Sequence, residues 1–206
     1  EQFREAVRID GGDMEARQQI IQIFKDAGNL AAAIAEAKGW IRVDEDSPKA
    51  QEILADLLAE QKQFGEAVEH YEHAIRMNPD FVLARSRYVQ IMARRGRINA
   101  AIELLKQQLD ADHGIIEGHS FLGLALELAG RQKEAVEVFT EGLAREPDHQ
   151  KILRELAWIL ATTRDRSLRN GAEAVRFALA ASGREPDNAD FLHVLAAAYA
   201  ENQQYE

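Results

Sequence analysis

The 206-residue chain contains no cysteine. Disulfide staples and thiolate metal sites are therefore excluded, and the cysteine usage marks neither an oxidising nor a reducing compartment. Proline occurs only four times, so few positions forbid a helix. No stretch approaches the roughly 18 to 20 apolar residues that a helix needs to cross a bilayer, and no membrane contact is expected. Positive charge is in deficit: 25 Lys and Arg stand against 35 Asp and Glu, a formal net charge of −10. Phosphate backbones demand a basic footprint, so this balance argues against nucleic acid as a partner. Signatures of chemistry are also missing. There is no glycine-rich phosphate loop, His-Glu-x-x-His pair or nucleophile elbow, so neither catalysis nor a cofactor is expected.

What remains is a helix-forming vocabulary, rich in Ala, Leu, Glu, Gln and Arg, with 46% apolar and 29% charged residues. That mixture belongs to a folded chain rather than a disordered one. Glu1-Gln2-Phe3-Arg4 is neither a signal nor a transit peptide and reads as the middle of a helix. The end, Asn202-Gln203-Gln204-Tyr205-Glu206, looks equally unfinished. A piece of a longer protein is expected.

Self-similarity is the dominant signal. Ala33, Ala67, Ala101 and Ala135 lie 34 residues apart, and Ile20, Leu54, Tyr88, Leu122 and Leu156 keep the same interval. Pro79, His113 and Pro147 repeat it, as does a turn slot holding Gly28, Lys62, Gly96 and Gly130. Within each period apolar residues recur twice at helical spacing, separated by a short polar break. Ser47-Pro48 supplies a capping side chain followed by proline at the first helical position. Pro79, Pro147 and Pro186 follow the second helices and turn the preceding residue out of helical geometry.

This pattern resembles the tetratricopeptide repeat. Counted from Pro48, Leu54 and Ala55 fill the seventh and eighth places, Leu58 the eleventh and Ala67 the twentieth. Tyr71, Ala74 and Pro79 take the twenty-fourth, twenty-seventh and thirty-second. The unit from Ile116 carries Leu122-Gly123, Leu126, Ala135, Phe139, Gly142 and Pro147 in the same order. The resemblance implies an all-α fold, an α-solenoid of antiparallel helix pairs wound in a right-handed superhelix. The expected organisation is a half repeat at 1–13 with Phe3 and Ala6, then repeats at 14–47, 48–81, 82–115, 116–150 and 151–188, and an incomplete repeat at 189–206. The fifth repeat departs from the period. Ala135 to Ala174 spans 39 residues, which predicts a lengthened turn at 162–171. The segment Leu156-Ala157-Trp158-Ile159-Leu160-Ala161-Thr162 followed by Asn170-Gly171-Ala172 resembles a variant found in bacterial members and hints at a bacterial source. Trp40 and Gln108 occupy slots that are small in the other repeats; Trp40 predicts a locally repacked interface and Gln108 a looser one.

A single helical hairpin cannot bury its own apolar stripe, so each unit must cover the next, producing a curved scaffold without a deep catalytic cavity. The resemblance implies that the second, fifth, sixth, ninth, twelfth and thirteenth places line a concave groove. At such places stand Leu83, Arg87, Gln90 and Arg94, then Phe121, Leu124 and Leu128, then Arg154 and Trp158. Exposed aromatics beside Arg are the composition of binding hot spots. Repeat 82–115 also holds six basic residues (Arg85, Arg87, Arg94, Arg95, Arg97 and Lys106) against Glu103, Asp110 and Asp112. The expected partner is a protein or an extended peptide with acidic and apolar side chains. The competing reading packs the aromatics between helices and pairs the Arg residues with nearby Glu.

Two subtypes of the family are set aside on the same register. A clamp for chaperone tails needs Lys at a fifth place and Asn at a ninth, whereas the fifth places are Gln18, Glu52, Ser86, Ser120, Arg154 and His193. A ladder of Asn at sixth places is also missing, since Gln19, Ile53, Arg87, Phe121, Glu155 and Val194 stand there. His70 and His73, three apart, could share a helix face, but without a third ligand at defined spacing they read as a solvated face. Alternative functions are a substrate-adaptor arm of a larger enzyme or membrane protein, and a module that self-associates end to end.

Overall fold

A computed structural model describes residues 13–78, 81–111, 116–183 and 189–202. The expected half repeat with Phe3 and Ala6, and the residues Pro79, His113 and Pro186, lie outside them. The described residues are α-helical with short connections, and no strand occurs among them. The chain forms two compact units, Glu1–Arg95 and Gly96–Glu206.

In the first unit, helices α1 (Met14–Asp26), α2 (Leu30–Val43), α3 (Pro48–Glu60), α4 (Phe64–Met77) and α5 (Val82–Arg94) follow one another, and each packs against the next. The second unit holds α6 (Ile98–Ala111), α7 (Ile116–Leu128), α8 (Gln132–Arg145), α9 (Gln150–Thr162), α10 (Gly171–Ser182) and α11 (Ala189–Glu201). Consecutive helices again pack together, and α9 additionally touches α7 and α11. Contacts thus run between consecutive helices in both units, and in the second unit also between next-but-one neighbours, the pattern of a one-dimensional stack in which each hairpin covers the next.

The turns inside the hairpins are nearly identical. Gly28, Lys62 and Gly130 take positive φ values of 69°, 63° and 74°. In each, the residue after the turn donates its N–H back to a carbonyl of the preceding helix in the Schellman pattern: Asn29 to Phe24, Gln63 to Leu58 and Arg131 to Leu126, all at 2.8 Å. That same residue opens the following helix. One short segment therefore satisfies the carbonyls of one helix and starts the next. Gly96 adopts the same left-handed conformation, with φ of 66°. Side-chain caps add to this. Asp13, Asn29, Ser47 and Asn170 each accept the backbone N–H three residues on, and His149 does so through Nδ1 at 3.3 Å.

The repeated small residues lie in the core. Ala33, Ala67, Ala101, Ala135 and Ala174 are all fully buried, beside Leu54, Tyr71, Tyr88, Phe139 and Leu156. Gly123 shows why size matters here, because a Cβ built on it would lie 2.2 Å from Cε1 of Phe139. Trp40 is buried as well, so its large ring fills an interface that other repeats close with Ala74 or Gly142. The lengthened turn at 162–171 is tightly bonded. Arg169 donates from Nε and Nη2 to the Thr163 carbonyl at 3.0 and 2.7 Å, and the Thr163 hydroxyl donates to Gln132 of α8 at 2.6 Å. Asp165 accepts from the backbone and hydroxyl of Ser167 and faces Lys133 at 3.7 Å. The insertion thereby braces α8 and, through Arg169 and Glu201 at 3.7 Å, the end of α11.

Candidate functional site

The predicted groove residues fall on both units, and each unit presents its own face. In the first, α1, α3 and α5 contribute first-helix positions to two recesses that share Asp56. One, of about 230 Å³, is lined by Gln18, Ile21, Lys49, Ile53, Asp56 and Leu83, among others. Leu83 is 42% exposed at its rim. The other, of about 210 Å³, brings together Arg87, Gln90 and Arg94 with Phe64, Ile91 and Glu60. Four residues selected from the sequence therefore meet on one face.

Asp56 sits between the recesses and organises them. It accepts a hydrogen bond from the Tyr71 hydroxyl and pairs with Arg87 Nε at 3.3 Å. Burial pushes its carboxyl above the usual range, opposed by the Tyr71 bond and the Arg87 charge, while Glu52 adds to the rise. Burial, together with Asp56, also raises the Tyr71 phenol. Lys25 bonds Glu60 at 2.6 Å, and Lys49 bonds the buried Glu52 at 2.8 Å. Arg94 is different: among the described residues no carboxylate pairs with it. The cation left over on this face is thus a guanidinium beside Gln90.

The second unit carries the other five predicted residues, and here the structure corrects the sequence. The register puts Phe121 on the exposed face, but it is only 1% exposed. The Lys151 ammonium lies over one face of its ring at 4.2 Å from the centroid. The aromatic therefore packs between helices, as the competing reading has it. Leu124 is half-buried and Leu128 is exposed. Arg154 donates to Glu155 at 2.6 Å, so its charge is engaged on its own helix. Trp158 leans on the core cluster of Ala157, Leu160, Ala174 and Val194 and meets His193 of α11 at a centroid distance of 5.0 Å. An open recess of about 290 Å³ lies against Arg154, Glu155, Trp158, His193 and Val194.

Sequence reasoning passed over Asp56 and Glu127, and placed Tyr71 and His193 in the register without giving either a part in a binding face. Asp56 and Glu127 stand at the ninth and twelfth places of their repeats, so extending the same register to every repeat would have found both. Tyr71 was read only as a packing residue, and nothing in a single sequence shows that its hydroxyl reaches the groove. His70 is bonded to Gln51 at 2.7 Å between ring and amide, and burial lowers its basicity. It belongs to the packing between α3 and α4 rather than to a solvated face. Among the described residues no group of three or more His, Asp or Glu is placed to hold a metal ion.

Comparison with known proteins matches this geometry. Two tetratricopeptide repeat family models fit residues 19–80 and 58–123, together just over half of the chain. Small glutamine-rich tetratricopeptide repeat-containing protein 2 of Mycosarcoma maydis is 32% identical over 116 residues, 55% of this chain and 33% of the relative. Hsp70-Hsp90 organizing protein 3 of Arabidopsis thaliana is 27% identical over 93 residues, 45% of this chain and 17% of that one. The chain thus spans a third or less of these relatives. A solved tetratricopeptide repeat protein from Thermus thermophilus superposes with a TM-score of 0.61 at 19% identity, over 89% of this chain and 99% of its own. Helix-pair repeats, turn chemistry, small-residue register and these matches agree: the chain belongs to the tetratricopeptide repeat family of α-solenoid proteins.

Proposed function

We propose that this chain is a protein-interaction scaffold whose first unit holds an extended peptide segment carrying an acidic side chain next to an apolar one. Protein binding at this general level is supported by the family and by the tetratricopeptide repeat relatives. The finer reading rests on one observation. On the face of α1, α3 and α5 the cations Lys25, Lys49 and Arg87 each have a carboxylate, whereas Arg94 has none among the described residues. An incoming carboxylate would meet Arg94 and the Gln90 amide, while Phe64 and Ile91 in the same recess accept an apolar neighbour. Arg87, paired with Asp56 at 3.3 Å, supplies a second guanidinium alongside.

The test is a peptide array of twelve-residue segments that place Asp or Glu beside Leu or Phe, each paired with its Asn or Gln counterpart. Acidic members are expected to bind, and Arg87→Glu with Arg94→Glu to weaken them at least tenfold, with Arg154 left intact. Equal binding of the amide counterparts would remove the acidic half of the reading. An unchanged profile in the double variant would remove the site.

A further inference from the structure

The charges on the first-unit face can be paired off one by one. Lys25 pairs with Glu60 at 2.6 Å, Lys49 with Glu52 at 2.8 Å and Arg87 with Asp56 at 3.3 Å. Each of these residues lines one or both of the two recesses, and Arg94 is the fourth cation there. Four cations thus face three carboxylates, which leaves a surplus of one positive charge. The three carboxylates are not equally placed. The Glu52 side chain is buried, at 2% exposure, and that of Glu60 is 47% exposed. Asp56 lines both recesses. The hydroxyl of the fully buried Tyr71 donates to Asp56 Oδ1, the same oxygen that faces Arg87. The carboxylate is therefore held between the recesses and does not swing clear of a ligand that spans them.

We infer that Asp56 is a specificity-determining residue: it restricts the groove to segments with a single acidic side chain and rejects acidic runs. This rests on the reading of the face as a site for an acidic side chain, and narrows it. One carboxylate on Arg94 completes the pairing of every cation lining the two recesses. A second one finds no unpaired cation in those walls and meets Asp56 with like charge. On an extended chain, side chains two residues apart share a face and lie about 7 Å from each other. Asp56 and Arg94 stand in the wall of the same recess, of about 210 Å³. An acid flanking the bound one is thus brought beside Asp56, at a range where a screening length of about 8 Å leaves the repulsion in force. Selectivity of this kind comes from a repulsive element set against the wrong partner rather than from a further contact with the right one.

The experiment uses the whole 206-residue chain and three twelve-residue peptides in a Ser-Gly background, titrated by calorimetry at physiological salt. One carries a single Glu-Leu pair, the second Gln-Leu, and the third the Glu-Leu pair with a further Glu two positions to either side. The single-Glu peptide is expected to bind more tightly than the Gln peptide, and at least fivefold more tightly than the triple-Glu peptide. Asp56→Asn, close in shape, should bring that last ratio below twofold. Should Asp56→Asn fail to fold, Glu60→Gln frees Lys25 in the same way and should lower the ratio at least twofold. Glu137→Gln, an exposed site on α8 of the second unit, changes the net charge equally and should leave the ratio intact. Triple-Glu binding as tight as single-Glu binding overturns the inference while the acidic-side-chain reading stands. A ratio that Asp56→Asn leaves unchanged, or that Glu137→Gln lowers as much, also overturns it, since the discrimination is then general repulsion. Equal binding of the single-Glu and Gln peptides removes both readings.

Discussion

Lys62 occupies the one turn of four that lacks glycine, and replacing it tests the turn argument with internal controls. Its φ of 63° matches the 66° to 74° of Gly28, Gly96 and Gly130. Its bonds to Ala59 and, through Gln63, to Leu58 match those around Gly28 and Gly130 in length. The slots therefore differ chiefly in a Cβ. A left-handed backbone costs an L-residue roughly 1–2 kcal/mol. Glycine returns about 0.5–1 kcal/mol of that through the greater freedom of its unfolded chain. Lys62→Gly is thus expected to stabilise by about 0.5–1 kcal/mol, a rise of roughly 1–4 °C in melting temperature for a chain of this size. Lys62 is solvent-exposed and makes no ion pair among the described residues, so little is lost with its side chain. Gly28→Lys and Gly130→Lys should move stability the other way by a similar amount. Thermal melts followed by circular dichroism in the far ultraviolet give all three values. If Lys62→Gly lowers the melting temperature while the two reverse variants leave it unchanged, the claim that backbone conformation governs this slot is wrong.

Two further substitutions probe packing and charge. Gly123→Ala forces a methyl into the space of the fully buried Phe139 ring and should cost about 1–3 kcal/mol in urea unfolding. Phe139→Leu in the same chain should recover part of it, and a neutral Gly123→Ala would refute the close approach. Glu127 has its folded pKa raised to about 7 from an ordinary 4.5. Between those values the native state holds its proton more tightly than the unfolded chain, so the carboxyl lowers stability progressively as pH rises through this window. The penalty is absent below pH 4.5 and complete above pH 7. Glu127→Gln should therefore leave the melting temperature unchanged at the lower end of the window. At about pH 8 it should raise stability by about 1 kcal/mol, a value reduced for solvent screening. A gain of equal size at both pH values would contradict the assignment.

The repeat register was legible in the residues themselves. Ala33, Ala67, Ala101 and Ala135 and the turn slot from Gly28 to Gly130 depend on local constraints: the closest distance between neighbouring helices, and the sign of φ in a short turn. Such constraints act within one or two helix pairs and recur with the period, so they mark the sequence. The lengthened turn was visible as a spacing, but its bracing was not, because Arg169, Thr163 and Asp165 find partners on helices brought beside them by the fold.

The binding faces were only partly legible. Helical periodicity places Arg87, Gln90 and Arg94 on one side of α5 without saying which of them is neutralised. That depended on Asp56 arriving from α3 and Tyr71 from α4. Phe121 carries the same register as a groove residue, yet its ring turned into the helix interface under Lys151. His193 met Trp158 only because α11 packs on α9. Sequence alone determined the class of fold, since an apolar stripe and a small-residue notch repeat wherever a hairpin must be covered. Which charges remain uncompensated was decided by tertiary structure, because an ion pair exists only once two distant side chains are within about 4 Å.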